Sequence, residues 1–329
     1  MPFITGRRAL LALAACAALL PVAASAQTYP NRPVTIVVPL AAGSGMDALV
    51  RIYADKLQSA LGQPVVVENR PGAALMLAAA AVAKAPADGY TLLVSTSSAM
   101  AINPVLYKKI NYDHINDFVP ISLYVKSPFI LVVNPNLPAK TVPELIKFVK
   151  DSKKPLTYSS PGAGVAQHLS MEYMKKRFGV DVTHVPYKNT PQSIADIAAG
   201  HVDLGFAEAG ASLPLIRDGK LRPLAVSATT RLPSLPDVPP FAEAAKAPDF
   251  EAVSWHVLLA PSATPAPVVE RLHKEMKKIM ADPEMIKLTE KIGLIPVDTP
   301  PVDGIKSYIA SERDKWGDLV KQLGLAGSM

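Results

Sequence analysis

Twice along this chain a short apolar run passes through a loop of small residues into a helix-like segment. The first is VTIVVPLAAGSGMDALVRIYADKL, Val34 to Leu57, and the second is LTYSSPGAGVAQHLSMEYMKKRF, Leu156 to Phe178. A β-branched, uninterrupted run such as Val34 to Leu40 suits a strand covered on both faces. After the first loop, Leu49, Ile52, Tyr53, Leu57, Ala60 and Leu61 recur at helical spacing, and Gly62 closes the helix. Further runs, PVVVEN, YTLLVS, FILVVNP, DVTHVPYK, VDLGFAEA and LRPLAVSA, alternate with helical patterns. The alternation predicts an α/β fold with mostly parallel strands. FILVVNP, beginning at Phe129, reads as the start of a second lobe, and AVSWHVLLAPSATP, from Ala252, as the return to the first. The predicted organisation is residues 27–128 with 253–329 in one lobe and 129–252 in the other.

The N-terminus reads as an export leader. Arg7 and Arg8 precede an apolar run from Ala9, and Ala24-Ser25-Ala26 precedes Gln27, which predicts a signal peptide over 1–26. The run from Ala9 to Leu20 is shorter than the roughly 20 residues a membrane span needs. Arg7-Arg8 leaves a twin-arginine route open beside the general one. LAAC, Leu13 to Cys16, has the form of a lipoprotein box, but the residues after Cys16 stay apolar, so cleavage after Ala26 and a periplasmic destination are the expectation. Cleavage removes Cys16, the only cysteine, so neither a disulfide nor thiol chemistry is expected of the mature chain.

Charge narrows the partners. Thirty-four basic and 28 acidic side chains give a net charge of +6, and two of the cations, Arg7 and Arg8, fall in the leader. No basic run is interleaved with aromatics, which argues against nucleic acid. The 32 prolines are scattered, so the chain reads as globular with many firm turns.

The two loops carry the candidate site. The first turn of a helix has N–H groups without an internal partner and a partial positive charge. Glycine and alanine let a ligand approach that backbone. Two such heads facing one cleft predict an anion clamp. AAGSGMD lacks the third glycine of a dinucleotide loop and the lysine of a phosphate loop. Ser44, flanked directly by Gly43 and Gly45, does not fit a nucleophile elbow. His114, His168, His184, His201, His256 and His273 show no metal-ligand spacing, so neither a metal nor another cofactor is expected. His168, in the first turn of the second helix, reads either as a donor to an anion or as a structural residue. Asp47 reads as a helix cap or a water-holding group. Ser98 falls in the polar loop after YTLLVS, and Glu208 follows a strand near the cleft, where it would accept from a ligand amine or hydroxyl or simply be solvated.

YPNRPVTIVVPLAAGSGMDALVR, LGQPVVVENRPGA, ADGYTLLVS, YSSPGAGVAQHL, HVPYK, LRPLAVSATTRLPSLPDVP, LLAPSATP and the final helix around KWGDLVK run in the order of a known family. The chain resembles the tripartite tricarboxylate transporter substrate-binding proteins, also called Bug or TctC proteins. The resemblance implies a type II periplasmic-binding-protein fold, two doubly wound lobes joined by a two-strand hinge, a small mono- or dicarboxylate ligand, and a membrane permease as partner. It implies a monomeric receptor, not an enzyme. Carried over by motif, it places Ala42, Gly43, Ser44 and Asp47 in one binding loop and Ser160, Gly162, Gly164, Val165, Ala166 and His168 in the other. A subunit that presents solute to a membrane sensor would use the same clamp, and a secreted hydrolase would need a nucleophile in it. The departures lie at Ser44, where the family usually has glycine, at Ala74, Leu75 and Met76, where it has glycines, and at Ala207, where many members have aspartate. They predict an added hydroxyl in the cleft, a bulkier apolar loop, and a ligand chosen without that aspartate.

Overall fold

Val34, Ile36, Val37 and Val38 are fully buried, so β1 (Val34–Val38) sits inside a sheet. The computed structural model describes residues 29–329, so the predicted leader and Cys16 lie outside the described residues. The other strands are β2 (Val65–Asn69), β3 (Thr91–Thr96), β4 (Phe118–Val133), β5 (Leu156–Ser160), β6 (Val182–Pro186), β7 (Leu204–Glu208), β8 (Arg222–Val226), β9 (Val253–Pro261) and β10 (Ile295–Pro296). Their order is β2-β1-β3-β9-β4-β7-β5-β6, with β8 and β10 pairing β4 outside this path. Arg32–Met329 packs as one unit.

The sheet has parallel ends and an antiparallel middle. β1 runs parallel to β2 and β3, and β5 runs parallel to β6 and β7. β9 runs antiparallel to β3 and β4, and β4 is antiparallel to β7 and β8. The expectation of mostly parallel strands therefore holds for the two flanks and fails between them. The reason is topological: β4 carries the chain out of the first flank and β9 carries it back, so the two must run in opposite directions.

β4 also shows that FILVVNP does not open a strand of its own. One strand of 16 residues runs from Phe118 to Val133. Pro120 and Pro128 disguise it in sequence because proline gives no ladder donor. Pro120 sits at a register shift, and Pro128, opposite Val253, is the last residue paired with β9. From Phe129 onward the partners are β7 and β8. Each proline stands where the pairing shifts or changes, so the missing donor costs little.

Helix ends follow local chemistry. Thr141 caps Val142–Asp151, Asn189 caps Thr190–Ala199 and Asp282 caps Pro283–Lys291, each accepting an N–H two or three residues on. Gly62 ends Gly45–Leu61 in the left-handed conformation. The last helix, Val302–Gln322, is fixed to β9 through Glu312, which accepts from the indole N–H groups of Trp255 at 3.0 Å and Trp316 at 3.2 Å. Among the described residues no helix is long and apolar enough to cross a membrane.

A candidate anion-binding cleft

Both small-residue loops leave the carboxyl ends of parallel strands, β1 and β5, where ligands of open α/β sheets bind. In the first loop the cap is Ser44, not Asp47. Ser44 has extended backbone, and its Oγ accepts from the Asp47 N–H at 3.2 Å. Asp47 reaches back to accept from the Gly43 N–H at 3.0 Å, as in a capping box. Its carboxylate also takes Asn69 Nδ2 at 2.9 Å and Arg51 Nε at 3.2 Å. Burial pushes the Asp47 carboxyl up, but the bonds from Arg51, Gly43 and Asn69 outweigh it and hold it below its usual range. Ser44 is 1% exposed and committed to the cap, so its hydroxyl does not face the cleft as expected.

The second loop is braced by a stack of rings. Ser160 Oγ lies 2.7 Å from His184 Nε2 and 2.7 Å from the Gly162 carbonyl. His168 Nδ1 accepts from the Gly164 N–H at 3.1 Å. His184 stacks between Tyr158 and His168, with centroids 4.7 and 4.4 Å away. Burial lowers the His168 pKa, and burial followed by the neighbouring His168 lowers that of His184 to about 4, so both rings are neutral near pH 7. Of the two roles read for His168, the geometry matches the structural one.

The chain supplies partners for both helix heads. Glu208, at the end of β7, is buried, and its Oε1 accepts from the Met46 N–H at 3.2 Å, while the nearby Gly45 N–H also favours its charged form. Ser98 Oγ, from the segment after β3, accepts from the Ala166 N–H at 3.1 Å. The expectation that these heads present free N–H groups to a ligand is therefore revised for the first head, whereas in the second only the Ala166 N–H is taken. An N-terminus attracts any anion or acceptor, and here the opposite flank of the sheet provides one to each.

Two neighbouring cavities with shared wall residues lie between the loops. The larger, of about 600 Å³, is walled by Pro39 to Ala41, the Pro71–Leu75 turn, Pro161 to Ala163, Val165 and Pro186 to Asn189. Lys188 is the only charged side chain in its wall, with no ion pair among the described residues. The backbone N–H groups of Ala41, Ala163 and Val165 likewise have no hydrogen-bond partner among the described residues. Below it a pocket of about 30 Å³ is lined by residues that include Ser98, Gln167, Glu208, Ser254 and His256, and it shares Leu40, Leu75, Pro161 and Val165 with the larger cavity.

Of the residues singled out in sequence, Ser98, Gly162, Val165 and Glu208 line these cavities. Ser44, Asp47, Ser160, Gly164, Ala166 and His168 stand behind them as loop supports, and Ala42 and Gly43 are exposed. The sequence gives no site role to Lys188 or His256, and it marks the loop at Ala74 to Met76 as bulky without revealing its backbone. Lys188 lies in HVPYK, a motif that by itself assigns it no role. Ala73, Ala74 and Leu75 all have positive φ, at 46°, 49° and 73°, a conformation that alanine and leucine do not advertise. Leu75 fills the cavity wall as the bulkier loop predicted, whereas Met76 packs against the core. No three His, Cys, Asp or Glu side chains among the described residues form a metal-holding group.

The family model described as the tripartite tricarboxylate transporter family receptor, TctC, matches residues 49–325. Rpa4515 of R. palustris, solved with adipate, is 34% identical over 91% of this chain and 99% of its own, with a TM-score of 0.87. The periplasmic binding protein BugD is 31% identical over 91% of this chain and 99% of its own, at a TM-score of 0.85. MatC of Rhodopseudomonas palustris, solved with malate, is 29% identical over 89% of this chain and 100% of its own, at 0.81. The chain has the periplasmic-binding-protein fold. It belongs to the tripartite tricarboxylate transporter receptor family.

Proposed function

We propose that this chain is an exported, periplasmic solute receptor that closes on a small organic carboxylate and delivers it to the permease of a tripartite transporter. It acts as a monomer and catalyses no reaction. The lobes are 27–128 with 253–329, and 129–252. The change of β4 partners between Pro128 and Phe129 supports that division and a hinge at that point. The observation that carries the ligand class is the wall of the larger cavity: one lysine, no carboxylate, and three N–H groups without partners. Such a wall suits a carboxylate, which accepts from backbone N–H groups and from an ammonium. The adipate and malate bound by Rpa4515 and MatC point the same way. A hydrolase would need an accessible nucleophile. Ser44 is committed to the cap, and Ser160, though beside His184, is 1% exposed.

The test is a thermal-shift panel of mono- and dicarboxylates on protein refolded free of ligand. At least one acid is expected to raise Tm by roughly 5 °C at a hundredfold excess over its Kd, because binding to the folded state alone stabilises it. A flat response across the panel would remove the carboxylate from the account.

A further inference from the structure

The small pocket under the larger cavity has the opposite chemistry from the cavity above it. Its lining holds no lysine or arginine. Two buried polar atoms in its walls, Glu208 Oε2 and His256 Nδ1, have no hydrogen-bond partner among the described residues. Buried polar atoms are nearly always paired, and leaving one without a partner is destabilising. The other oxygen of Glu208, Oε1, is held at the head of the Gly45–Leu61 helix, so that bond fixes where Oε2 lies. About 30 Å³ is the volume of one water-sized group.

We propose that this pocket is a selectivity subsite for a hydrogen-bond-donating substituent, a hydroxyl or ammonium, on the bound acid, with Glu208 Oε2 as its acceptor. This rests on the carboxylate reading and extends it by assigning an orientation. The acid group faces Lys188 and the free N–H groups of the larger cavity, and the donor points inward. A carboxylate turned inward would meet the Glu208 side chain with no cation beside it. A purely apolar substituent would leave Oε2 and His256 Nδ1 unpaired. An ammonium fits best of all, since it balances a buried carboxylate that has no salt bridge among the described residues. Burial holds His256 neutral near pH 7, so it places no competing positive charge in the pocket.

The experiment is titration calorimetry at pH 8, where Glu208 is ionised, with C3 to C6 mono- and dicarboxylates, each as the plain, 2-hydroxy and 2-amino acid, on wild type and Glu208→Gln. The glutamine keeps a carbonyl oxygen for the Met46 N–H and puts an NH2 donor in place of Oε2. Wild type is expected to bind a hydroxy or amino acid at least about tenfold more tightly than its plain skeleton, the scale of one charge-assisted hydrogen bond. In Glu208→Gln that ratio is expected to fall to near unity. Acid binding by wild type without a donor preference overturns the subsite alone, as does a preference that survives in Glu208→Gln, including the case in which the pocket holds only a water. Failure of every acid to bind wild type overturns the carboxylate reading and the subsite with it.

Discussion

Gly164→Leu is expected to weaken binding of the cognate acid by at least about 100-fold, or ~3 kcal/mol, while the chain stays folded. Gly164 has φ +85°, and a Cβ placed there would sit 2.6 Å from Leu106 Cδ2 and 3.3 Å from the Tyr107 ring. A left-handed leucine costs roughly 1–2 kcal/mol, and Leu106 is fully buried, so it yields only with repacking. The relief is outward movement of the second loop from the segment that carries Leu106 and Tyr107. Such movement breaks the Tyr107 hydroxyl bond to the Ala163 carbonyl and carries the Ala163 and Val165 N–H groups away from Ala41. Calorimetry checks affinity, and far-UV circular dichroism with a melt checks the fold. Unchanged affinity in a folded Gly164→Leu protein would take the second loop out of the site.

The second large effect is on stability and pH. Burial raises the Glu208 pKa from 4.5 to about 7 against the smaller lowering by the Met46 and Gly45 N–H groups. Between those values the native chain holds a proton that the unfolded chain has lost. Stability therefore falls as pH rises through this window, by up to ~3 kcal/mol in total. His256 and His184 act in the opposite sense. Burial lowers them to about 3 and about 4, so their contribution is complete above pH 6.5 and is lost as pH falls. Comparison with Glu208→Gln isolates the acid. The Tm of the variant relative to wild type is expected to rise by roughly 5 °C or more between pH 5 and pH 8, measured without ligand. A difference that does not change with pH would show that Glu208 ionises as an ordinary glutamate.

Much of the fold was legible because local patterns matched their final settings. VTIVV became the buried β1, and Gly62 became the left-handed helix end. The full length of β4 was not legible, because Pro120 and Pro128 read as breaks when they mark a register shift and a change of partner. The location of the cleft could be read from two loops at helix heads. Its polarity could not, since the groups that fill those heads come from far along the chain. Glu208 lies 162 residues from Met46, and Ser98 lies 68 from Ala166. Nothing in the residues around Glu208 says that one oxygen will be spent on a distant helix while the other is left without a partner. The turn at Ala73 to Leu75 was hidden for a different reason. Left-handed backbone is advertised by glycine, and here alanine and leucine adopt it.

The central claim is that the cleft recognises a carboxylate as an anion. Its most direct test is titration calorimetry of the best-binding acid against the primary amide of the same skeleton, on protein shown to be free of ligand. The account predicts one site per chain for the acid and affinity at least about tenfold lower for the amide, which brings neither the charge nor the second acceptor oxygen. Equal affinity for acid and amide would contradict it.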